Sequence, residues 1–146
     1  MEALEHQCTG KSLHDSDLVA WATSSAAKLR QGEELNSEER EQIAEELWLM
    51  AGSTRRELKS RTITLLIHLL KCEFQPEKRT RSGLLTISQQ RHQIREVLDE
   101  SPSLRSLFER ELPNLYAQAR EDAQTETGLD TFPEENPFTL NQILNG

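Results

Sequence analysis

Aromatic residues make up only 5% of this chain, and its 146 residues include two cysteines, five prolines and six glycines. Each shortage excludes something. Cys8 and Cys72 form no C-x-x-C pair, which argues against zinc ribbons and thioredoxin-type redox motifs and points to free thiols in a reducing cytoplasm. With so few prolines and glycines the regular elements should be long. No stretch alternates apolar and polar residues as a half-buried strand would. No apolar run approaches the roughly 20 residues of a membrane helix; the longest, Leu65 to Leu70, is interrupted by His68. Met1 to Lys11 has no basic stretch followed by an apolar one, so no signal peptide is expected and no membrane partner either. Phosphate-cradling glycine loops, a dinucleotide fingerprint and a nucleophile elbow are missing too. No histidine has a glutamate three positions before it, as helical di-iron sites require. His68 and Cys72 stand four apart, but two ligands are too few for zinc. No metal and no cofactor is therefore expected.

What the chain does have is charge, 29% of its residues, with a net value of −8. That balance argues against a general nucleic-acid binder. The average hides an asymmetry. From Arg55 to Arg95 ten Lys or Arg stand against three Asp or Glu; elsewhere seven stand against twenty-two. A basic middle lies between acidic flanks. The two regions attract each other within one fold, or the basic one serves an anion or an acidic partner.

Spacing predicts an all-α fold, a bundle of about five main helices followed by an extended tail and a short C-terminal helix. Residues 1–13 read as a flexible arm and 14–146 as a single helical domain. The first helix starts near Asp15 or Ser16 and ends at Gly32. A second follows Asn36, which with Glu39 makes a capping pair. It carries the stripe Ile43, Leu47, Met50 and breaks at Gly52-Ser53. The third runs from about Thr54 to Phe74, with an apolar arc too wide for a surface helix, so it should be central; Gln75-Pro76 ends it. The fourth is capped near Ser82, with the stripe Leu84, Ile87, Ile94, Leu98. Arg91 fills the gap in that stripe, and its charge needs an acid, with Glu45 or Glu46 the expected partner. The fifth carries Leu104, Phe108, Leu112 and Leu115, with a kink or restart at Pro113, and ends at Gly128. Phe132, Phe138, Leu140 and Ile143 make the tail part of the fold, and Thr139 with Gln142 forms a final capping box.

On the third helix Arg61, Thr64, His68, Lys71 or Cys72, and Gln75 step by three and four, a polar stripe on an apolar helix. Polar groups are costly to bury alone, so the stripe faces solvent, a groove, or carboxylates. The basic loop Lys78-Arg79-Thr80-Arg81 leaves from the same helix end. The candidate binding residues are therefore Arg61, His68, Lys71, Gln75, Arg79 and Arg81. A partly buried network holding helices together is the plainer reading of the stripe.

The strings Ile43-Ala44-Glu45-Glu46, Arg55-Arg56-x-Leu58-x-Ser60-Arg61, His68-Leu69-Leu70-Lys71, Phe74-Gln75-Pro76, Arg79-x-Arg81-Ser82, Gln90-Arg91, Ser101-Pro102-Ser103-Leu104, Glu126-Thr127-Gly128-Leu129 and Phe132-Pro133-Glu134 occur in that order. Together, over roughly Asp17 to Leu144, they resemble the bacterial domain-of-unknown-function family numbered twenty-nine. The resemblance implies an all-helical fold and a cytoplasmic bacterial protein, and no activity. Cys72 and Gly83 stand where that family generally has tryptophan, and Trp48 and Ala51 where Glu and Gly are usual.

Two function classes follow. The first is a non-enzymatic interaction module binding a protein or an anionic partner, with Trp48 and Leu49 off the second helix's apolar stripe as interface candidates. The second is RNA binding or cleavage. The spacing Arg61-x6-His68 resembles the Arg-x(4–6)-His motif of helical HEPN ribonucleases, metal-independent enzymes in which such a pair would activate a ribose hydroxyl and steady phosphate charge. Self-association of the chain stays open on either reading.

Overall fold

The computed structural model describes residues 12–146. Six α-helices and no strand occur among them: α1 (Leu13–Ser16), α2 (Leu18–Gln31), α3 (Ser37–Phe74), α4 (Arg81–Glu100), α5 (Leu104–Thr127) and α6 (Leu140–Leu144), with a 3-10 turn at Pro76–Lys78 between α3 and α4. The fold is all-α. Most of the predicted N-terminal arm, including Cys8, lies outside the described residues, and its last residue, Leu13, already opens α1.

Two of the expected helices are one. α3 runs for 38 residues through Gly52-Ser53 without a break. Glycine in a helix interior costs about 1 kcal/mol against alanine, and no proline follows to stop the chain, so the good helix formers on both sides carry it across. At the start of α3, Asn36 Oδ1 accepts the Glu39 amide at 2.8 Å. The reciprocal half of the capping box is missing, because the Glu39 carboxylate takes Lys28 Nζ at 2.9 Å instead.

Other boundaries follow the expected chemistry. One cap differs: Asp15 and Ser16, the expected caps, lie inside the short α1, and Asp17 caps α2 by accepting the Ala20 amide. Gly32 and Gly128 end α2 and α5 in the left-handed region, with φ of 70° and 73°, where a side chain would be strained. α5 shows no restart at Pro113. The missing N–H removes the bond to the Glu109 carbonyl, and Glu109 is exposed, where water can replace it.

By its internal contacts the chain divides into two compact units, residues 1–51 and 52–146, a boundary that the spacing of apolar residues did not mark. In the first, α1 is held by His14, whose Nε2 lies 2.6 Å from Glu46 Oε1 and whose ring packs edge-on against Trp21. None of its described residues is buried. Leu47 and Met50, from the expected stripe, border an open apolar groove with Leu18, Trp21 and Leu29. Between α2 and this stripe the groove stays open, and Leu47 and Met50 are exposed.

The second unit holds the core. Leu58, Leu65, Leu66 and Leu70 of α3 pack with Ile87, Ile94, Val97 and Leu98 of α4 and with Phe108, Leu115, Tyr116, Ala119 and Ala123 of α5. Leu84, expected in the core, is exposed, and Val97 is buried. α4 is capped by Thr80, two residues before the expected Ser82, and Leu85 in its first turns is exposed as well. The tail completes the core. Phe132, Ile143 and Leu144 are buried, Phe132 meets Phe74 edge-on, the Tyr116 hydroxyl donates to the Pro133 carbonyl, and Arg120 Nε donates to that of Phe132 at 3.2 Å. Thr139 and Gln142 form the expected capping box.

Among the described residues Arg91 finds neither Glu45 nor Glu46 nor any other acid. Its Nε donates to the Ile143 carbonyl at 3.1 Å and Nη2 to that of Gln142 at 2.7 Å, while Arg95 Nη1 donates to that of Leu144 at 3.2 Å. The end of α6 leaves carbonyls without intrahelical partners, and two guanidinium groups supply donors. A helix terminus has taken the place of the expected carboxylate.

Candidate functional site

The connection between α3 and α4 is short, and each residue in it has a local reason. Gln75 precedes proline and leaves helical angles, as that position requires. The 3-10 turn Pro76–Lys78 is closed by the Lys78 amide donating to the Gln75 carbonyl at 3.0 Å. Thr80 then caps α4, its Oγ1 accepting the Gly83 amide at 3.0 Å. The C-terminus of α3 and the N-terminus of α4 are thereby brought together. Arg79 serves the first of these ends, donating from Nε and Nη2 to the Cys72 carbonyl at 3.1 and 3.0 Å.

A cavity of about 370 Å³ opens at this junction, lined by His68, Lys71, Cys72, Gln75, Lys78, Arg79, Thr80, Ser82, Gly83 and Thr86. All ten lie in the second unit. Three are cations and none is an acid. Lys71 Nζ contacts Glu126 at 3.4 Å, outside the lining. Gly83, with no side chain, leaves room beside His68: a Cβ there would sit 4.0 Å from His68 Nδ1.

The polar groups in this wall are unevenly satisfied. Thr86 Oγ1 donates to the Ser82 carbonyl at 2.9 Å, and the Thr80 and Ser82 hydroxyls lie 3.2 Å apart. The first-turn amides of α4, at Arg81 and Ser82, have no intrahelical partner. Gln75 is only 6% exposed, yet its carboxamide hydrogen-bonds to none of the described residues. None of its side-chain polar atoms is both sealed off and unpartnered, and the residue lines the cavity. The His68 ring is also without a hydrogen-bonding partner among the described residues. Burial, with the Lys71 charge adding to it, pushes His68 below its ordinary value, while Glu126 pulls the other way. His68 is therefore neutral at pH 7.

Of the six candidate residues, the structure brings His68, Lys71, Gln75 and Arg79 into this cavity and leaves Arg61 and Arg81 out of its lining. Arg61 pairs with Glu57 at 2.9 Å and reaches Gln90 Oε1 at 3.4 Å. Seven residues from His68, it lies about 10 Å away along the helix. Cys72, Lys78, Thr80, Ser82, Gly83 and Thr86 also line the cavity but were not among the candidate binding residues; a threonine three residues ahead of Gly83, inside a basic loop, was a signal for those at the start of α4. Trp48 and Leu49 are exposed, at 68% and 45%. Among the described residues no group of three or more His, Cys, Asp or Glu is placed to hold a metal ion.

Comparison with known proteins gives a family and nothing narrower. The model of the family described as "Domain of unknown function DUF29" matches residues 13–146. No curated protein and no solved structure matches the chain. The chain belongs to the DUF29 family.

Proposed function

We propose that this DUF29 chain is a non-enzymatic binding module that holds an anionic group of a partner protein in the cavity between α3 and α4, and that it works in the bacterial cytoplasm. One observation carries the reading. In a chain with 25 acidic and 17 basic residues, the lining has Lys71, Lys78 and Arg79 and no carboxylate. A cleft of one sign concentrates counter-charged ligands and excludes like-charged ones. The compartment rests on the family resemblance and on Cys72, a free thiol. Ribonuclease chemistry has less support, since the Arg61 guanidinium is held by Glu57 and Gln90, away from the His68 cavity.

Lys78 is exposed and has no side-chain partner among the described residues, so Lys78→Glu alters the cavity without removing a structural contact. Fluorescence anisotropy with a labelled Glu-rich peptide and with an oligouridylate of equal charge separates the readings. The module predicts peptide binding that weakens with salt and is lost in Lys78→Glu. An oligouridylate bound more tightly than the peptide, or cut by the protein, would favour the RNA reading instead.

A further inference from the structure

We infer that the cavity is a seat for a phosphate monoester group, with the N-terminus of α4 and the Gln75 carboxamide as its fixed donors. This rests on the reading above that the cavity takes an anion, and it adds which one. The start of a 20-residue helix presents backbone N–H groups and a partial positive charge to whatever sits there. Of the first-turn amides of α4 without an intrahelical partner, that of Ser82 belongs to a residue lining the cavity, while Arg81 lies outside the lining.

Gln75 is a separate observation pointing to the same ligand. Gln75 is 6% exposed and its carboxamide has no hydrogen-bond partner among the described residues, and a buried carboxamide left without one is destabilising. An amide N–H₂ that opens on the cavity donates to an anion there. The donors also approach from different directions: the backbone of α4, the last turn of α3 at Gln75 and Lys71, and the connecting turn at Lys78. A carboxylate offers two oxygens in one plane. A phosphate monoester offers three terminal oxygens that diverge from a tetrahedral phosphorus, and a charge nearer −2. That shape and charge match diverging donors and several cations. A nucleic-acid strand matches less well, since the wall has no aromatic ring apart from the imidazole of His68 for bases to stack on.

Isothermal titration calorimetry of the full chain tests this with O-phosphoserine, inorganic phosphate and glutamate as probes. Phosphoserine should bind at least as well as inorganic phosphate, and glutamate at least about tenfold more weakly, the equivalent of one hydrogen bond to a charged group. Gln75→Leu fills the same space without the unpartnered carboxamide. It should lower phosphoserine affinity about tenfold while leaving the melting temperature equal or higher, a combination that a merely structural glutamine would not give. Should Gln75→Leu fail to fold, Lys78→Gln supplies the same comparison from the exposed side. Equal affinities for phosphoserine and glutamate would overturn the phosphate assignment and leave the anion reading standing. Binding of inorganic phosphate alone would overturn the ester. No binding of any probe, or binding indifferent to both substitutions, would overturn the anion reading as well.

Discussion

His14 and His68 are pushed in opposite directions from the same ordinary value of 6.5. His14 is raised, first by its hydrogen bond to Glu46 and then by Asp15; His68 is lowered, first by burial and then by Lys71. The consequences for stability have opposite signs. The His14–Glu46 contact contributes fully below pH 6.5 and is lost as pH rises through the raised folded-state value. His68 resists protonation in the folded state, so it penalises folding as pH falls below 6.5, and that penalty fades as pH rises. Imidazole titrations followed by NMR should place the His14 midpoint above 6.5 and that of His68 below it. Saturating phosphate should raise only His68, because an anion in the cavity favours the imidazolium. The reverse order of midpoints, or a phosphate effect on His14 alone, would contradict the site. At this scale much was legible from sequence. A three-and-four spacing singled out His68, Lys71 and Gln75 as one face, and the loop charge singled out Arg79. Spacing marks a face but not how far along it a neighbour reaches, which is why Arg61 was grouped with residues it does not join.

Among the elements, the signals that depend on one residue's chemistry were the readable ones. Glycine in a left-handed turn ended α2 and α5, proline ended α3, and Thr139 with Gln142 started α6. Signals that depend on competition were not. Gly52-Ser53 looks like a stop until the formers on either side are weighed, and the partner of Arg91 depended on which helix end arrives beside it. Thr80 and Ser82 can both accept a first-turn amide, and only the backbone distinguishes them, making Thr80 and not the expected Ser82 the cap of α4. The α6 contacts give a test at this scale. Hydrogen bonds from a charged donor contribute about 1.5–3 kcal/mol each when shielded; one of the two from Arg91 is exposed. Arg91→Ala should therefore lower stability by about 1–3 kcal/mol in chemical denaturation. Phe132→Ala, which empties a core position, should cost more, about 3–5 kcal/mol. An Arg91→Ala protein as stable as wild type would show that the carbonyl contacts add nothing to tail docking.

Over the whole molecule, burial and charge are distributed differently from their averages. Every buried side chain among the described residues belongs to residues 52–146, and the acid-free cavity is in that unit too, inside a chain of net charge −8. The basic middle of the sequence, Arg55 to Arg95, is thus resolved into parts. Arg61 is neutralised by Glu57, Arg91 and Arg95 serve helix α6, Arg79 closes α3, and Lys71 and Lys78 remain at the cavity with a helix N-terminus and a buried glutamine. The function proposed here depends on that last group acting together as an anion seat. Chemical-shift mapping tests it most directly, by adding a phosphoserine peptide to the isotopically labelled full chain and following each backbone amide. The account predicts that the largest changes fall at His68, Lys71, Gln75 and residues 78–83, with residues 18–50 unmoved. Changes concentrated in residues 18–50, or none at the α3–α4 junction, would contradict it.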